Sequence, residues 1–404
     1  MNRALEELPW SGWGVQVAEL RRKGWRPQAF TEFVVKIHGW CNLACDYCYV
    51  YEMADQSWRA KPRAMSRDTF DGACRMIAEH AAMHAVPAVD LVFHGGEPLL
   101  AGSSELEYFA RTARRLLEPD VQVRLGIQTN GVLIGEDVLQ ICDRWDIRIG
   151  VSLDGGRAEH DRHRFDRRGQ GSYDRVAAGL ERLLADERRR LFTGLLCTVD
   201  LRNDPIETYD ALLRFSPPSV DFLLPHGNWT TPPPGRTPDP AATPYADWLL
   251  PIFDRWYGAP ELETRVRLFD CVIDLLLGRD AGSELLGLAP VRLAVIETDG
   301  SLEQVDELKS AFEGAAGLRL GGAGNPLDQA IWDPSMMARQ IGAAALDDTC
   351  TACPVHIVCG AGHYVHRYRE GSGFRNPSVY CPDLKKVIGH IEKRLRADLL
   401  AASP

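Results

Sequence analysis

The sequence predicts an α/β protein: a partial (β/α)6 TIM-like barrel, then a smaller cysteine-rich domain and a terminal helix. Three observations predict it. Six short apolar runs alternate with amphipathic stretches between residues 33 and 230, the pattern of a parallel sheet covered by helices. The proline-rich segment TTPPPGRTPDPAATP at 230–244 then breaks that alternation. Beyond it, four cysteines gather between 350 and 381, ahead of one last amphipathic segment. These breaks divide the chain into an N-terminal extension (1–32), the barrel (33–230), a linker with bridging helices (231–282), the cysteine-rich domain (283–382) and the C-terminal helix (383–404).

Strands are predicted at 33–38, 89–94, 121–128, 147–153, 192–199 and 220–225. Ser66 opens a helix whose stripe is Phe70, Ala73, Met76 and Ile77, and Ser172 opens another with Val176, Leu180, Leu183 and Leu184. Such units in series fit an open doubly wound sheet or a partial barrel. Either gathers its working residues at the C-terminal ends of the strands. Helices are predicted at 244–257 and 261–279, the second with Val266, Phe269, Val272, Ile273 and Leu276 at helical spacing. A strand at 291–296 closes on the turn Thr298-Asp299-Gly300, a glycine-rich stretch follows at 318–325, and a helix spans 383–400.

A net charge of −10 over 404 residues speaks against sequence-blind affinity for nucleic acid or an anionic membrane. No apolar run approaches the ~20 residues of a membrane-spanning helix. Residues 1–10 are acidic and broken by Pro9, unlike a secretory signal. A cytoplasmic protein is expected, and a disulfide framework for its eleven cysteines is not. Cys74, Cys142, Cys197 and Cys271 stand singly among apolar neighbours and are expected to be buried as small hydrophobes.

The other seven cysteines are grouped. Cys41, Cys45 and Cys48, in CNLACDYC, leave the first predicted strand. Three thiolates at this spacing can wrap one face of a [4Fe–4S] cluster and leave one iron open to a chelating ligand. Zinc, with His38 as a fourth ligand, is the rival, but this spacing is uncommon for zinc. Three further polar clusters follow strand ends: His94-Gly95-Gly96-Glu97-Pro98, Gln128-Thr129-Asn130-Gly131 and Ser152-Leu153-Asp154-Gly155. The paired glycines allow close approach of backbone to a ligand, and Glu97 offers a carboxylate to an ammonium group. Cys350, Cys353, Cys359 and Cys381 form a complete coordination set, which a closed zinc site and a closed iron–sulfur cluster fit equally.

The cysteine loop, with Tyr47 before its last cysteine, and the Gly95-Gly96-Glu97-Pro98 turn together resemble the radical S-adenosylmethionine (SAM) enzymes. The resemblance implies a radical SAM partial barrel. Cys41, Cys45 and Cys48 would hold a SAM-binding [4Fe–4S] cluster, and Gly96 and Glu97 would receive the SAM amino group. Tyr47 would lie near the adenine, and His94, Asn130 and Ser152 would face the ribose or carboxylate. Arg164, in HDRHR, also sits in a familiar family pattern, with a surface salt bridge as its alternative.

The C-terminal half resembles the SPASM domains of that superfamily, so Cys350, Cys353, Cys359 and Cys381 are implied to hold an auxiliary [4Fe–4S] cluster. Two positions depart from the SPASM pattern: Val305 and His363 stand where ligands of a further auxiliary cluster would be. Two clusters in total are expected, with His363 hydrogen-bonded beside its loop. Asp306, at a position where related maturases have an aspartate near the substrate, is the implied proton acceptor; its alternative is a salt bridge to Lys309. His226 and Asn228, after the sixth strand, are weaker candidates for substrate contact.

Over 33–400 the chain resembles the FxsB-type maturases of the FxSxx-COOH peptide system, carried by CNLACDYCYVYEM (41–53), ETDGSLEQVDELK (297–309) and residues 364–383. The resemblance implies a ribosomal precursor peptide as substrate, an external one-electron reductant of flavodoxin or ferredoxin type, and a three-residue cyclophane as product. Formylglycine formation and other peptide modifications such as thioether formation or epimerisation are alternatives within enzymes. A non-catalytic iron–sulfur or zinc scaffold that binds peptide is the alternative outside them.

Overall fold

The computed structural model of the protein describes residues 17–118, 120–239, 241–280 and 285–401. Nine strands form one sheet: β1 (Glu32–His38), β2 (Ala88–Gly95), β3 (Gln122–Thr129), β4 (Ile147–Ser152), β5 (Phe192–Thr198), β6 (Ser219–Leu223), β7 (Arg265–Val266), β8 (Leu293–Ile296) and β9 (Leu302–Glu303). Their order is β7-β6-β5-β4-β3-β2-β1-β8-β9. Neighbours from β7 through β8 pair parallel, and β9 returns antiparallel to β8. Because β1 to β6 lie side by side in chain order, this six-strand run has no strand-order reversal. That excludes the doubly wound alternative and leaves the partial barrel.

Alternation along the strands separates two environments. In β2, Val89, Leu91 and Phe93 are buried under the helices, while Asp90, Val92 and His94 point to the other face. The helix Arg67–Met83 supplies part of that cover with Phe70, Ala73, Cys74 and Ile77, and Ser66 caps it by accepting from the Thr69 amide at 3.1 Å. Ser172 precedes the helix Tyr173–Leu184 but makes no cap. Its hydroxyl instead bonds the His160 ring and donates to the Arg164 carbonyl.

The predicted helix at 261–279 is shorter, Arg267–Leu276. Thr264 donates to the Pro217 carbonyl at 2.8 Å, and Val266 pairs with Val220, so the sheet claims residues that helical spacing assigned to the helix. The helix Pro244–Tyr257 matches its predicted span, and Cys381–Ala401 forms the terminal helix. Asp383 accepts from the amides of Tyr245 and Ala246 at 2.9 and 3.0 Å, tying these two helices together. Residues after 285 return to the barrel, since β8 pairs with β1. Trp25 packs edge-on against Trp332, ring centroids 6.2 Å apart, whereas Trp10 and Trp13 lie outside the described residues. Among the described residues no helix is long and apolar enough to cross a membrane.

Candidate active site

All eleven cysteines are free thiols, and Cys74, Cys142, Cys197 and Cys271 are buried in the core as expected. The loop of Cys41, Cys45 and Cys48 leaves β1 and is fixed by the end of β2. The Gly96 amide donates to the His38 carbonyl, and the Glu97 amide to that of Trp40, each at 2.9 Å. The two glycines are required by the chain's own backbone. A Cβ on Gly95, at φ +148°, would lie 2.0 Å from the His38 carbonyl oxygen. One on Gly96 would lie 1.8 Å from the Tyr51 hydroxyl and 2.6 Å from the Trp40 carbonyl oxygen.

Glu97 is wholly buried. Its carboxylate accepts from Leu99 N (3.0 Å), Thr129 Oγ1 (2.7 Å) and Asn130 N (2.8 Å). Burial pushes its pKa up to about 7 against the pull of those three donors. The side chain therefore locks the ends of β2 and β3 together, and what the turn offers a ligand is its backbone. Asn130 reaches the cysteine loop itself, its amide 2.8 Å from Asn42 Oδ1 and 3.6 Å from Cys41 Sγ.

On the other side of the loop, Arg164 makes a buried ion pair with Asp154 at 2.7 Å, which rules out the surface salt bridge as its role. Asp154 also accepts from the Tyr47 hydroxyl and, at 2.9 Å, from the Thr198 amide. Its own amide donates to His160 Nδ1 at 3.3 Å, and His160 Nε2 meets Ser172. Asp154 and His160 are organising residues that motif matching left unassigned. Asp154 lies in Ser152-Leu153-Asp154-Gly155 at the end of β4, and His160 opens the HDRHR run. Ser152 accepts from Gln128 Nε2 at 3.1 Å inside the barrel. Burial is the largest influence on the loop thiols, raising Cys41 to about 11 and Cys45 to about 12, so metal binding there must displace protons.

Asp306 lies at the open end of β1 and β8. Lys36, opposite His94 in the β1–β2 register, contacts both Asp306 and Glu297 at 2.7 Å. Lys309 contacts Glu297 (2.6 Å), Glu303 (2.8 Å) and Asp306 (3.3 Å). Burial pushes the Asp306 carboxyl up, but Lys36, Lys309 and His94 outweigh it and hold it down at about 2. Glu303 moves the other way, raised by burial and by the charge of Glu297. A lysine inside the apolar run of β1 was the sequence signal for this cluster, since a buried ammonium group needs carboxylate partners. Burial is the larger cause of the raised pKa of Tyr49, one residue after Cys48, and both Asp306 and Cys48 are close enough for their charges to raise it further.

Asn228 and His363 also sit in surroundings other than those expected. Asn228 is wholly buried, and its side chain accepts from the Thr230 and Thr231 amides at 2.9 Å and donates to the Ser310 carbonyl. Its side chain is held in its own turn rather than exposed. His363 is not hydrogen-bonded through its Nδ1. It packs in a cluster with His366 and His226, ring centroids 5.3 and 6.3 Å away, where burial pushes its pKa down to about 3. His226 also meets the Tyr49 ring edge-on at 4.8 Å.

The second cysteine group is built from short helical turns. Cys350 lies in Asp348–Thr351, Cys359 ends His356–Cys359, and Cys381 begins the terminal helix. Gly360, at φ +57°, turns the chain where a Cβ would sit 1.7 Å from the Gly287 carbonyl oxygen. Among the described residues, neither cysteine group brings three sulfurs within 4.8 Å of one another. A tetrahedral zinc with bonds of ~2.3 Å would hold them about 3.8 Å apart. Neither set is therefore drawn in to the spacing of a single tetrahedral ion.

Residues 35–212 match the model of the Radical SAM superfamily. The cysteine-type anaerobic sulfatase-maturating enzyme of Clostridium novyi is 23% identical over 85% of this chain and 90% of that protein. Among solved structures, anSMEcpe with bound AdoMet aligns at a TM-score of 0.72 with 20% identity, covering 91% of this chain and 98% of that one. Streptococcus suis SuiB bound to its precursor peptide SuiA aligns at 0.57 with 15% identity, covering 90% and 78%. The cysteine loop fixed by a Gly-Gly-Glu turn at the open end of the partial barrel lies inside the segment that matches the Radical SAM superfamily, and the chain is an enzyme with the fold of that superfamily.

Proposed function

We propose that this enzyme is an FxsB-type radical SAM maturase that joins an aromatic ring carbon to a nearby β-carbon in a ribosomal peptide, closing a three-residue cyclophane. The observation that carries this reading is the Asp306 cluster, which sets an ionised carboxylate beside His94 and close to Tyr49 at the open end of the barrel. Cys41, Cys45 and Cys48 would hold the SAM-binding [4Fe–4S] cluster, and Cys350, Cys353, Cys359 and Cys381 the auxiliary one. When bound, the first cluster with SAM supplies a 5′-deoxyadenosyl radical that takes a hydrogen atom, and the second takes up one electron.

The chain's own residues do the rest. The Gly95-Gly96 backbone, braced by Glu97, would receive the SAM amino group. Tyr47, Asn130, Ser152 and the Arg164–Asp154 pair would line the remainder of the SAM site. Asp306 accepts the proton released as the ring regains aromaticity. A carboxylate of such low pKa is a weak base, but a proton on a ring carbon beside a radical is strongly acidic and needs no strong one. Val305 and His363 leave no ligands for a further cluster, which supports the cyclophane reading. The sulfatase-maturating relatives support a second reading, oxidation of Ser or Cys to formylglycine.

The test is anaerobic reconstitution, followed by reaction with a peptide encoded beside the gene. The proposal expects about 8 Fe per chain, 5′-deoxyadenosine on reduction with SAM, and a product lacking two hydrogens that does not react with a hydrazine. A hydrazine-reactive aldehyde would establish formylglycine formation instead. About 4 Fe with one Zn would overturn the auxiliary cluster, and no 5′-deoxyadenosine would overturn the assigned chemistry.

A further inference from the structure

Beside the first cysteine loop the surface gathers arginines around two tryptophans. Trp40, which directly precedes Cys41, is 38% exposed. The guanidinium groups of Arg63 and Arg167 lie over its ring, at 5.2 and 5.5 Å from the centroid. Trp58 meets Trp40 edge-on at 6.4 Å, and Arg59 lies 5.5 Å from the Trp58 ring. Arg59, Arg63 and Arg167 are exposed, and none has an ion-pair partner among the described residues. Other surface arginines of this chain do find carboxylates, as in Arg67–Glu105 and Arg124–Asp90. Three cations without carboxylate partners thus gather around two tryptophans on a chain of net charge −10.

The patch is joined to the cysteine loop by short contacts. Tyr51 packs edge-on against Trp58 at 4.9 Å and donates to the Gly39 carbonyl at 2.9 Å. It lies near enough to Cys41, Cys48 and Arg167 for their charges to act on its phenol. Arg167 rides on a small hairpin closed by the Phe165–Gly171 bridge. That hairpin is laid on the loop through the Leu43–Asp166 bridge and the Ala44 amide, 2.8 Å from the Phe165 carbonyl.

We propose that the face formed by Trp40, Trp58, Arg59, Arg63 and Arg167 is the docking surface for an acidic one-electron carrier protein that reduces the first cluster. The inference rests on the reading of Cys41, Cys45 and Cys48 as cluster ligands. The cations steer a negatively charged partner against the overall repulsion of this acidic enzyme. The tryptophans supply the flat, desolvated contact common at the centre of transient interfaces. One electron passes per encounter, so the carrier is oxidised by one electron and the cluster reduced by one.

The test compares the reconstituted wild type with the R63E/R167E double variant. Cluster bleaching is followed by stopped flow with two reductants, a chemically reduced acidic flavodoxin and photoreduced deazaflavin, a small neutral molecule. The expected result is at least a tenfold slower reduction of the variant by flavodoxin, with loss of the wild type's salt dependence and no change with deazaflavin. Equal rates with flavodoxin would overturn the proposal. A fall with both reductants would overturn it too, since the arginines would then be holding the loop. Weaker binding of the precursor peptide with unaltered reduction by flavodoxin would reassign the face to substrate. A wild type that binds no iron would overturn the cluster reading itself, which the iron count shows before any rate is measured.

Discussion

The two cysteine groups carry the same ligand on unlike scaffolds. The first is a loop hung on a strand and fixed by the end of the next strand, through the bonds of Gly96 and Glu97 to His38 and Trp40. The second is gathered by turns of two or three residues, such as Cys353 N to the Cys350 carbonyl and Gly362 N to that of Cys359. The charges beside them differ as well. At the first group the cation, Arg164, is neutralised by Asp154, and Glu97 lies buried behind Cys41. At the second, the cation beside Cys350 and Cys359 is Arg367, which donates to the Gly360 and Gly362 carbonyls at 2.6 Å and has no carboxylate partner among the described residues. An iron–sulfur centre gains an electron more easily beside an uncompensated positive charge. A centre held at the second group would thus gain an electron more easily than one beside the balanced pair at the first.

The strongest way to break that division is to remove one ligand from each side. Cys45→Ala is expected to abolish 5′-deoxyadenosine formation, a fall of at least ~10³-fold, the order seen when an essential group is lost. Cys353→Ala is expected to leave 5′-deoxyadenosine formation within a few-fold while ending formation of the modified peptide. Iron should fall by about 4 per chain in both variants. Equal loss of 5′-deoxyadenosine in the two would show that the groups do not have separate tasks.

A smaller effect is expected from unbalancing the first site's charge. Asp154→Asn leaves Arg164 buried beside Cys45 without a counter-charge, for a loss of about 3–5 kcal/mol in stability. The sign of its pH dependence follows from the ion pair. Burial pushes Asp154 up, but Arg164 overrides it and holds the carboxyl below its usual range. The pair's contribution is therefore complete above the unfolded carboxyl's pKa of about 3.9 and disappears as pH falls through the lower folded value. Thermal melts should separate wild type from variant by the same margin at pH 6 and pH 8, and by less near pH 3.

Much of this site was legible because spacing carries it. Cys41, Cys45, Cys48 and the glycine turn are local motifs, and their positions after β1 and β2 follow from strand periodicity. What stayed hidden depends on contacts across the barrel. Nothing local ties Lys36 to Glu297 or Tyr47 to Asp154, which meet over 261 and 107 residues of chain. The glycines show the limit most clearly. Their need was evident from sequence, but its cause was assigned to a ligand, and the structure assigns it to His38, Trp40 and Tyr51. Asn228 was misjudged for a related reason. A polar residue after a strand end reads as exposed, and only the fold shows that its amide is spent on Thr230, Thr231 and Ser310.

The finest adjustment of the comparison concerns Arg367 alone. Burial lowers its pKa, yet a guanidinium remains charged in proteins, so the side chain keeps its cation beside Cys359 and Cys350. The two backbone bonds fix where that charge stands, and the Tyr364 ring at 5.3 Å shields it from water. Arg367→Gln keeps a donor near the Gly360 and Gly362 carbonyls but removes the charge. The expected result is a midpoint potential for the second centre lowered by about 60 mV, a tenfold change in a one-electron equilibrium, with the first centre unmoved. Redox titration followed by electron paramagnetic resonance distinguishes the two centres. Arg367→Lys should restore most of the shift if charge is the cause. If Lys and Gln lower the potential equally, the fork of bonds to the two carbonyls matters more than the charge, and the electrostatic contrast between the two sites fails.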